Sequence, residues 1–168
     1  MRWLYLASVW LHILAATVWI GGMGFLVLVV VPWMRSGNRA AGAKILAETG
    51  ARFRAVGWAC FAIVLATGTF NLWGRGVRLG DFARPEWRQG AFGSAVLWKL
   101  AVFAAVLALS AAHDFYVGPA ATAAIQADPD GPSSERLRRR ASWMGRVNAL
   151  LALALVALAV VIVRGWPW

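Results

Sequence analysis

The chain has 168 residues, of which 61% are hydrophobic and only 14% charged. Soluble domains carry about 25% charged residues, and a globule this small cannot hide so much apolar surface, so a water-soluble fold is excluded. Lys and Arg total 17 against 7 Asp and Glu, for a net charge of +10, but these charges lie between apolar runs, which points to loop topology and against nucleic acid.

The first apolar run predicts a helix over about 3–33, with Tyr5 and His12 as its ionisable groups. A signal-peptide core has roughly 7–15 apolar residues, so this run reads as a spanning helix, long enough to tilt or protrude. Residues 37–50 fit a short interfacial helix leading into the second span, predicted at about 53–74 and uncharged between Arg54 and Arg75. The third span, about 92–117, contains Lys99, His113 and Asp114. Residues 127–134 form a turn-rich linker, followed by a basic run from Glu135 to Arg140 that reads as a solvated anchor. The fourth span is predicted at about 143–164, and its apolar run 147–163 has Asn148 as its only strongly polar residue. A spanning helix needs roughly 17–25 residues, so the expected fold is an all-α membrane protein, a four-transmembrane-helix bundle forming a single domain over 1–168. No internal repeat stands out.

Lys and Arg set the orientation. Loops 1–2 and 3–4 together carry ten: Arg35, Arg39, Lys44, Arg52, Arg54, Arg136, Arg138, Arg139, Arg140 and Arg146. The opposite side carries six: Arg2, Arg75, Arg78, Arg84, Arg88 and Arg164. The ten-charge side is expected in the cytoplasm, with both termini extracytoplasmic in a bacterial-type inner membrane. Tryptophans fall at both interface depths: Trp3, Trp73, Trp98 and Trp166 at one, Trp33, Trp58 and Trp143 at the other, with Trp168 just beyond the last span.

Ionisable groups in hydrocarbon are costly, and they usually face the bundle with a partner. On the first helix, Tyr5, Ser8, His12, Ala15, Trp19 and Met23 fall along one stripe, with small residues on both sides of His12. Such small residues leave room for a flat ring, or equally for close helix packing, which the GlyGlyMetGly segment at 21–24 suggests at its own level. Lys99, Phe103, Val106, Ser110 and His113 share one face of the third helix, and Thr67 and Asn71 lie one turn apart on the second. At 1.5 Å per residue His12 lies about 10 Å, and Lys99 about 8 Å, from the middle of its helix toward the outside. Thr67 and Asn71 fall on the same side, so these four are expected to converge. His113 lies about 13 Å from the middle on the cytoplasmic side, too far in depth to share one metal ion with His12. A structural imidazole bonded to Asn148 or a carboxylate is the favoured reading of His113, with a metal ligand as the other.

For His12, ligand and satisfied core histidine weigh equally. Zinc finds too few donors here. Copper(I) accepts His, Met and Cys, but Met23 lies about 16 Å along the helix from His12, and Cys60, the lone cysteine, sits in the cytoplasmic half. That lone cysteine also excludes an internal disulfide, a cysteine-based zinc site and an iron–sulfur cluster. Haem needs only one or two axial ligands and an apolar slot with aromatic walls such as Trp19. His12 is then the nitrogen ligand. Lys99 is either the opposite ligand as a neutral amine or, as an ammonium, a propionate partner.

Three segments resemble the copper-resistance D (CopD)-like membrane family. They are LeuHisIleLeuAlaAlaThrValTrpIleGlyGlyMet at 11–23, ArgPheArgAlaValGly followed by AlaThrGlyThrPheAsnLeuTrp within 52–73, and LeuTrpLysLeuAlaValPhe followed by HisAspPhe within 92–115. The resemblance covers most of 11–118 and implies copper tolerance or uptake. His12 and Lys99 also resemble the first-helix histidine and third-helix lysine of HemJ-type protoporphyrinogen oxidases, which implies a small four-helix haem b protein.

The leading expectation is therefore a membrane haem b protein of redox, electron-transfer or porphyrin-related function, with His12 as axial ligand and Lys99, Thr67, Asn71 and Trp19 around the cofactor. Quinone or a redox protein would be its partner, in the lipid bilayer, with no nucleic acid; the oligomeric state stays open, a homo-oligomer included. The alternatives are copper transport or tolerance through His12, Met23 and Cys60, and a non-catalytic assembly subunit whose polar residues satisfy each other.

Overall fold

A computed structural model describes residues 2–128 and 131–166 of the chain. Trp168, and Pro129 and Asp130 of the expected linker, lie outside the described residues. Four helices dominate: α1 (Arg2–Arg35), α2 (Arg39–Gly74), α3 (Ala91–Ala127) and α4 (Pro132–Arg164). All four are long and apolar enough to cross a membrane, and every regular element among the described residues is helical. The expected all-α, four-span class is what the chain adopts.

The helix ends differ from the expected ones. α2 has 36 residues, about 54 Å at 1.5 Å per residue, whereas the hydrocarbon core is about 30 Å thick. The separate interfacial helix expected over 37–50 is the first part of α2. Its Ala, Lys, Leu and Glu residues favour helix and no Pro interrupts them, so water alone does not end it. α4 starts eleven residues before the expected position 143, at Pro132, whose fixed φ and missing N–H suit the first turn of a helix. The basic run is wound onto that turn, where Glu135 accepts from Arg138 and Arg139 at 2.7 Å each. Ser134 Oγ donates to the Asp128 carbonyl at 2.6 Å and closes the linker.

The chain forms two compact units, Met1–Arg84 and Pro85–Trp168. In unit 1, α1 and α2 run antiparallel around Ala15, Trp19, Met23, Cys60, Phe61 and Thr67, all buried. Trp19 meets Phe61 edge-on at 4.9 Å, and Phe61 meets Trp58 at 5.5 Å. In unit 2, α3 and α4 bury Ala95, Val96, Val106, Ser110, Met144, Ala152 and Leu155. The Trp166 indole N–H donates to the Ala91 carbonyl at 3.2 Å, tying the end of α4 to the start of α3.

The two units repeat one plan, which the sequence reading had not found. In each, the first helix widens into a π-turn, at Leu26–Val30 and at His113–Val117, 87 residues later. A proline follows each turn at the same offset, Pro32 and Pro119. Proline lacks the N–H that would bond four residues back, and its ring crowds that carbonyl, here Leu28 or Phe115 within the π-turn. The wider turn relieves the clash: Val31 N–H bonds Leu26 and Gly118 N–H bonds His113, both five residues back. The same offset pairs buried Trp19 with buried Val106, and Met23 with Ser110. It also pairs His12 with Lys99. The post-proline helix is five residues in unit 1 and ten in unit 2, after which each chain turns back into its long second helix.

Unit 2 has no room at Gly93. A Cβ there would overlap the main-chain carbonyl of Trp87, in the single-turn helix Pro85–Gln89. Gly93→Ala is expected to destabilise the protein by about 1–3 kcal/mol through overpacking. Gly21→Ala, in open space, is expected to be neutral or mildly stabilising. Unfolding of the two variants in graded SDS, followed by tryptophan fluorescence, measures the difference.

Candidate functional site

Glycines and small residues on α2 set the register against α1. Gly74 lies under the Tyr5 ring, where an added Cβ would come within 2.9 Å, and Gly57 lies against Trp19 at 3.9 Å. Between them Gly68 lies against His12, with 3.3 Å from an added Cβ to the ring Cε1. Of the three glycines at 21–24, Gly22 alone meets a neighbour, the Phe53 ring; Gly21 and Gly24 face open space. Tyr5 at the end of the stripe accepts from Arg75 Nε at 3.2 Å.

This register places His12 beside Thr67, which is 8% exposed. His12 Nδ1 and Thr67 Oγ1 are 2.8 Å apart. Thr67 Oγ1 is also 2.6 Å from the Ile63 carbonyl, one turn back on its own helix. A hydroxyl has one proton, and a carbonyl oxygen 2.6 Å away can only accept it. Thr67 therefore accepts from His12, and the His12 proton sits on Nδ1. In the neutral ring the lone pair then falls on Nε2, the arrangement in which a histidine binds a metal while its other nitrogen is held by the protein.

The surroundings are mostly apolar. Leu4, Ala7, Ser8, Leu11, Ala66, Thr67 and Phe70 line a groove of about 360 Å³ along unit 1. Ser8 Oγ reaches the Thr67 carbonyl only at 3.5 Å, a weak contact. Asn71 Oδ1 is buried with no hydrogen-bond partner among the described residues. Trp19 is buried against Phe61, seven residues and about 10 Å along the helix from His12, so it packs the core at a different level. Cys60 and Met23 are buried in the same interface as Trp19. Unit 1 thus unites His12 with Thr67, near Ser8, and keeps Trp19, Cys60 and Met23 apart from them.

Lys99 and His113 belong to unit 2. Lys99 is partly buried on α3. His113 lies in the π-turn, where its Nδ1 is 3.0 Å from the Asp114 carboxylate, one of the partners expected for a structural imidazole. Asn148 donates from Nδ2 to Ser110 Oγ at 3.1 Å, and its Oδ1 is buried without a partner among the described residues. That Ser110–Asn148 bond was not anticipated. Its signal was present: a serine on the polar face of the third span and one strongly polar residue in the fourth. Among the described residues no three His, Cys, Asp or Glu side chains gather closely enough to hold a metal ion.

The His12–Thr67 bond lies within the apolar zone, where measured interhelical hydrogen bonds are worth about 0.6 kcal/mol on average and at most about 1.7. A double-mutant cycle of His12→Leu and Thr67→Val in SDS unfolding is expected to give a coupling energy in that range, and Thr67→Ser is expected to keep it.

Residues 47–162 match the family described as Copper resistance protein D (CopD). That range holds Thr67, Asn71, Lys99 and His113 and begins after His12. A protein of Aquifex aeolicus (strain VF5), itself described only as an uncharacterized protein, is 32% identical over 157 residues, 93% of either chain. No solved structure matches the chain. With most of its length inside the match and four helices able to span a bilayer, the chain is a multi-pass membrane protein that belongs to the copper-resistance D family.

Proposed function

We propose that this protein binds haem b, whose iron His12 Nε2 would hold, and serves an electron-transfer or porphyrin-related role in the membrane. The observation that carries the reading is the Thr67 hydroxyl, which spends its proton on Ile63 and so holds the His12 proton on Nδ1. A metal-ligating histidine commonly donates its other N–H to an oxygen in this manner. The donor set fits haem better than a bare metal ion. Haem asks for one or two protein ligands and an apolar slot, and unit 1 offers one imidazole beside an apolar groove walled by Phe70. A bound copper or zinc ion asks for more donors at one level than the described residues of unit 1 assemble. When bound, haem supplies one-electron redox chemistry. Thr67 orients the imidazole and Gly68 leaves room for its ring.

A second reading has its own support. Cys60 and Met23 are buried soft donors in the α1–α2 interface that also holds His12, and the family carries copper in its name. Copper(I) would then be cargo, handed between His12 and donors about 10 Å (Cys60) and about 16 Å (Met23) away along the helix axis.

Purification from haem-sufficient cells separates the two. The haem reading expects a Soret band and stoichiometric iron. It expects His12→Ala to abolish the band and His113→Ala to keep it. Thr67→Val is expected to weaken haem retention about 10–100-fold, as loss of an outer-shell partner does. Copper without a Soret band, lost in Cys60→Ser, would replace haem with the copper reading. Neither metal after supplementation would leave the polar groups as helix–helix contacts only.

A further inference from the structure

A second groove, of about 320 Å³, lies in unit 2 and is lined by Arg88, Ser94, Leu97, Trp98 and Ala101. The last four recur at helical spacing on one face of α3 and span about 10 Å of its axis. Arg88 comes from the single-turn helix Pro85–Gln89 just before α3. Trp87 fixes that turn, stacking edge-on with Phe92 at 6.5 Å, while its carbonyl packs on Gly93. Arg88 follows Trp87 in that turn and lines the groove with its side chain exposed.

Two donors of this groove, on Arg88 and Trp98, are unspent, whereas Ser94 Oγ already donates to the Ala91 carbonyl at 3.2 Å. Arg88 is exposed and makes no ion pair or hydrogen bond among the described residues. Its neighbours in sequence differ: Arg84 pairs with Asp81 at 3.1 Å, Arg78 donates to the Trp73 carbonyl at 2.9 Å, and Arg75 donates to Tyr5. The Trp98 side chain is 63% exposed, and its indole N–H has no partner among the described residues. The lining combines a guanidinium and an indole N–H with the apolar side chains of Leu97 and Ala101. It contains no carboxylate; Glu86 lies nearby in sequence but outside it. Trp98, and Trp166 bonded at Ala91, mark this end of α3 as the depth where the headgroup region meets hydrocarbon.

We propose that this groove is a binding site for an anionic phospholipid. The Arg88 guanidinium pairs with the phosphate, as its planar fork does well. Trp98 N–H supplies a hydrogen bond to a headgroup or ester oxygen, and one acyl chain lies over Leu97 and Ala101. A zwitterionic headgroup would bring its own cation to a lining that has no acid to receive it, so charge selects the anionic lipid.

Native mass spectrometry of the full chain in neutral detergent, titrated with phosphatidylglycerol or phosphatidylcholine of the same acyl chains, tests this. Wild type is expected to retain phosphatidylglycerol about fivefold better, the weight of one interfacial arginine. Arg88→Gln should bring the two lipids to parity, Arg88→Lys should keep most of the preference, and Arg140→Gln, elsewhere in unit 2, should leave it intact. Trp98→Leu should weaken retention of both lipids. Equal retention by wild type, or an undiminished preference in Arg88→Gln, would overturn the proposal. Lipid mass is read whether or not a metal or haem is bound, so this outcome is independent of the function proposed for His12.

Discussion

Within a bilayer, a buried donor has no water to fall back on, and each polar group must find its partner inside the protein. For His12, unit 1 meets that demand through one hydroxyl. Thr67 gives its only proton to the Ile63 carbonyl on its own helix and therefore presents a lone pair to α1, where His12 Nδ1–H takes it up. The ring orientation of His12 and the position of its lone pair follow from that bond, in the register that the α2 glycines set. The glycines make it reachable: a side chain at position 68 would meet the imidazole edge, and one at 74 would push Tyr5 and its end of α1 away.

Proline imposes the second constraint. In each unit it interrupts the hydrogen-bond ladder near one end of the first spanning helix, and a π-turn absorbs the break. The shared offset of these turns makes the units two versions of one helical hairpin. Their cores have diverged in size and polarity: Trp19 corresponds to Val106 and Met23 to Ser110. At the same offset His12 of the first helix corresponds to Lys99 of the third, an imidazole in one unit and an amine in the other.

Much of this was legible in the sequence, for reasons that differ by feature. The four spans were readable because hydrocarbon selects long apolar runs with few charges, and 3–33, 53–74, 92–117 and 143–164 are such runs. The helix ends were not, because leaving the hydrocarbon does not end a helix; residues 39–52 and 132–142 stay helical on propensity and on pairs such as Glu135 with Arg138 and Arg139. His12 and Thr67 were readable together, since depth along antiparallel helices is simple arithmetic. The proton's location was not, because it depends on a 2.6 Å contact to a main-chain oxygen that no spacing rule supplies. The stripe of Trp19 with His12 was correct as a helix face, but sharing a face is not sharing a level. The repeat escaped notice because its markers are two prolines and the widened turns before them, while the residues between have changed.

The most direct test is nitrogen NMR of the His12 ring in the metal-free protein, uniformly labelled and carrying His113→Gln so that a single imidazole remains. The expected spectrum has a proton bonded to Nδ1, protected from exchange, and an unprotonated Nε2. Thr67→Val should remove that protection. A ring protonated on Nε2 with a bare Nδ1 would contradict the account, because the lone pair would then face Thr67 and not a ligand.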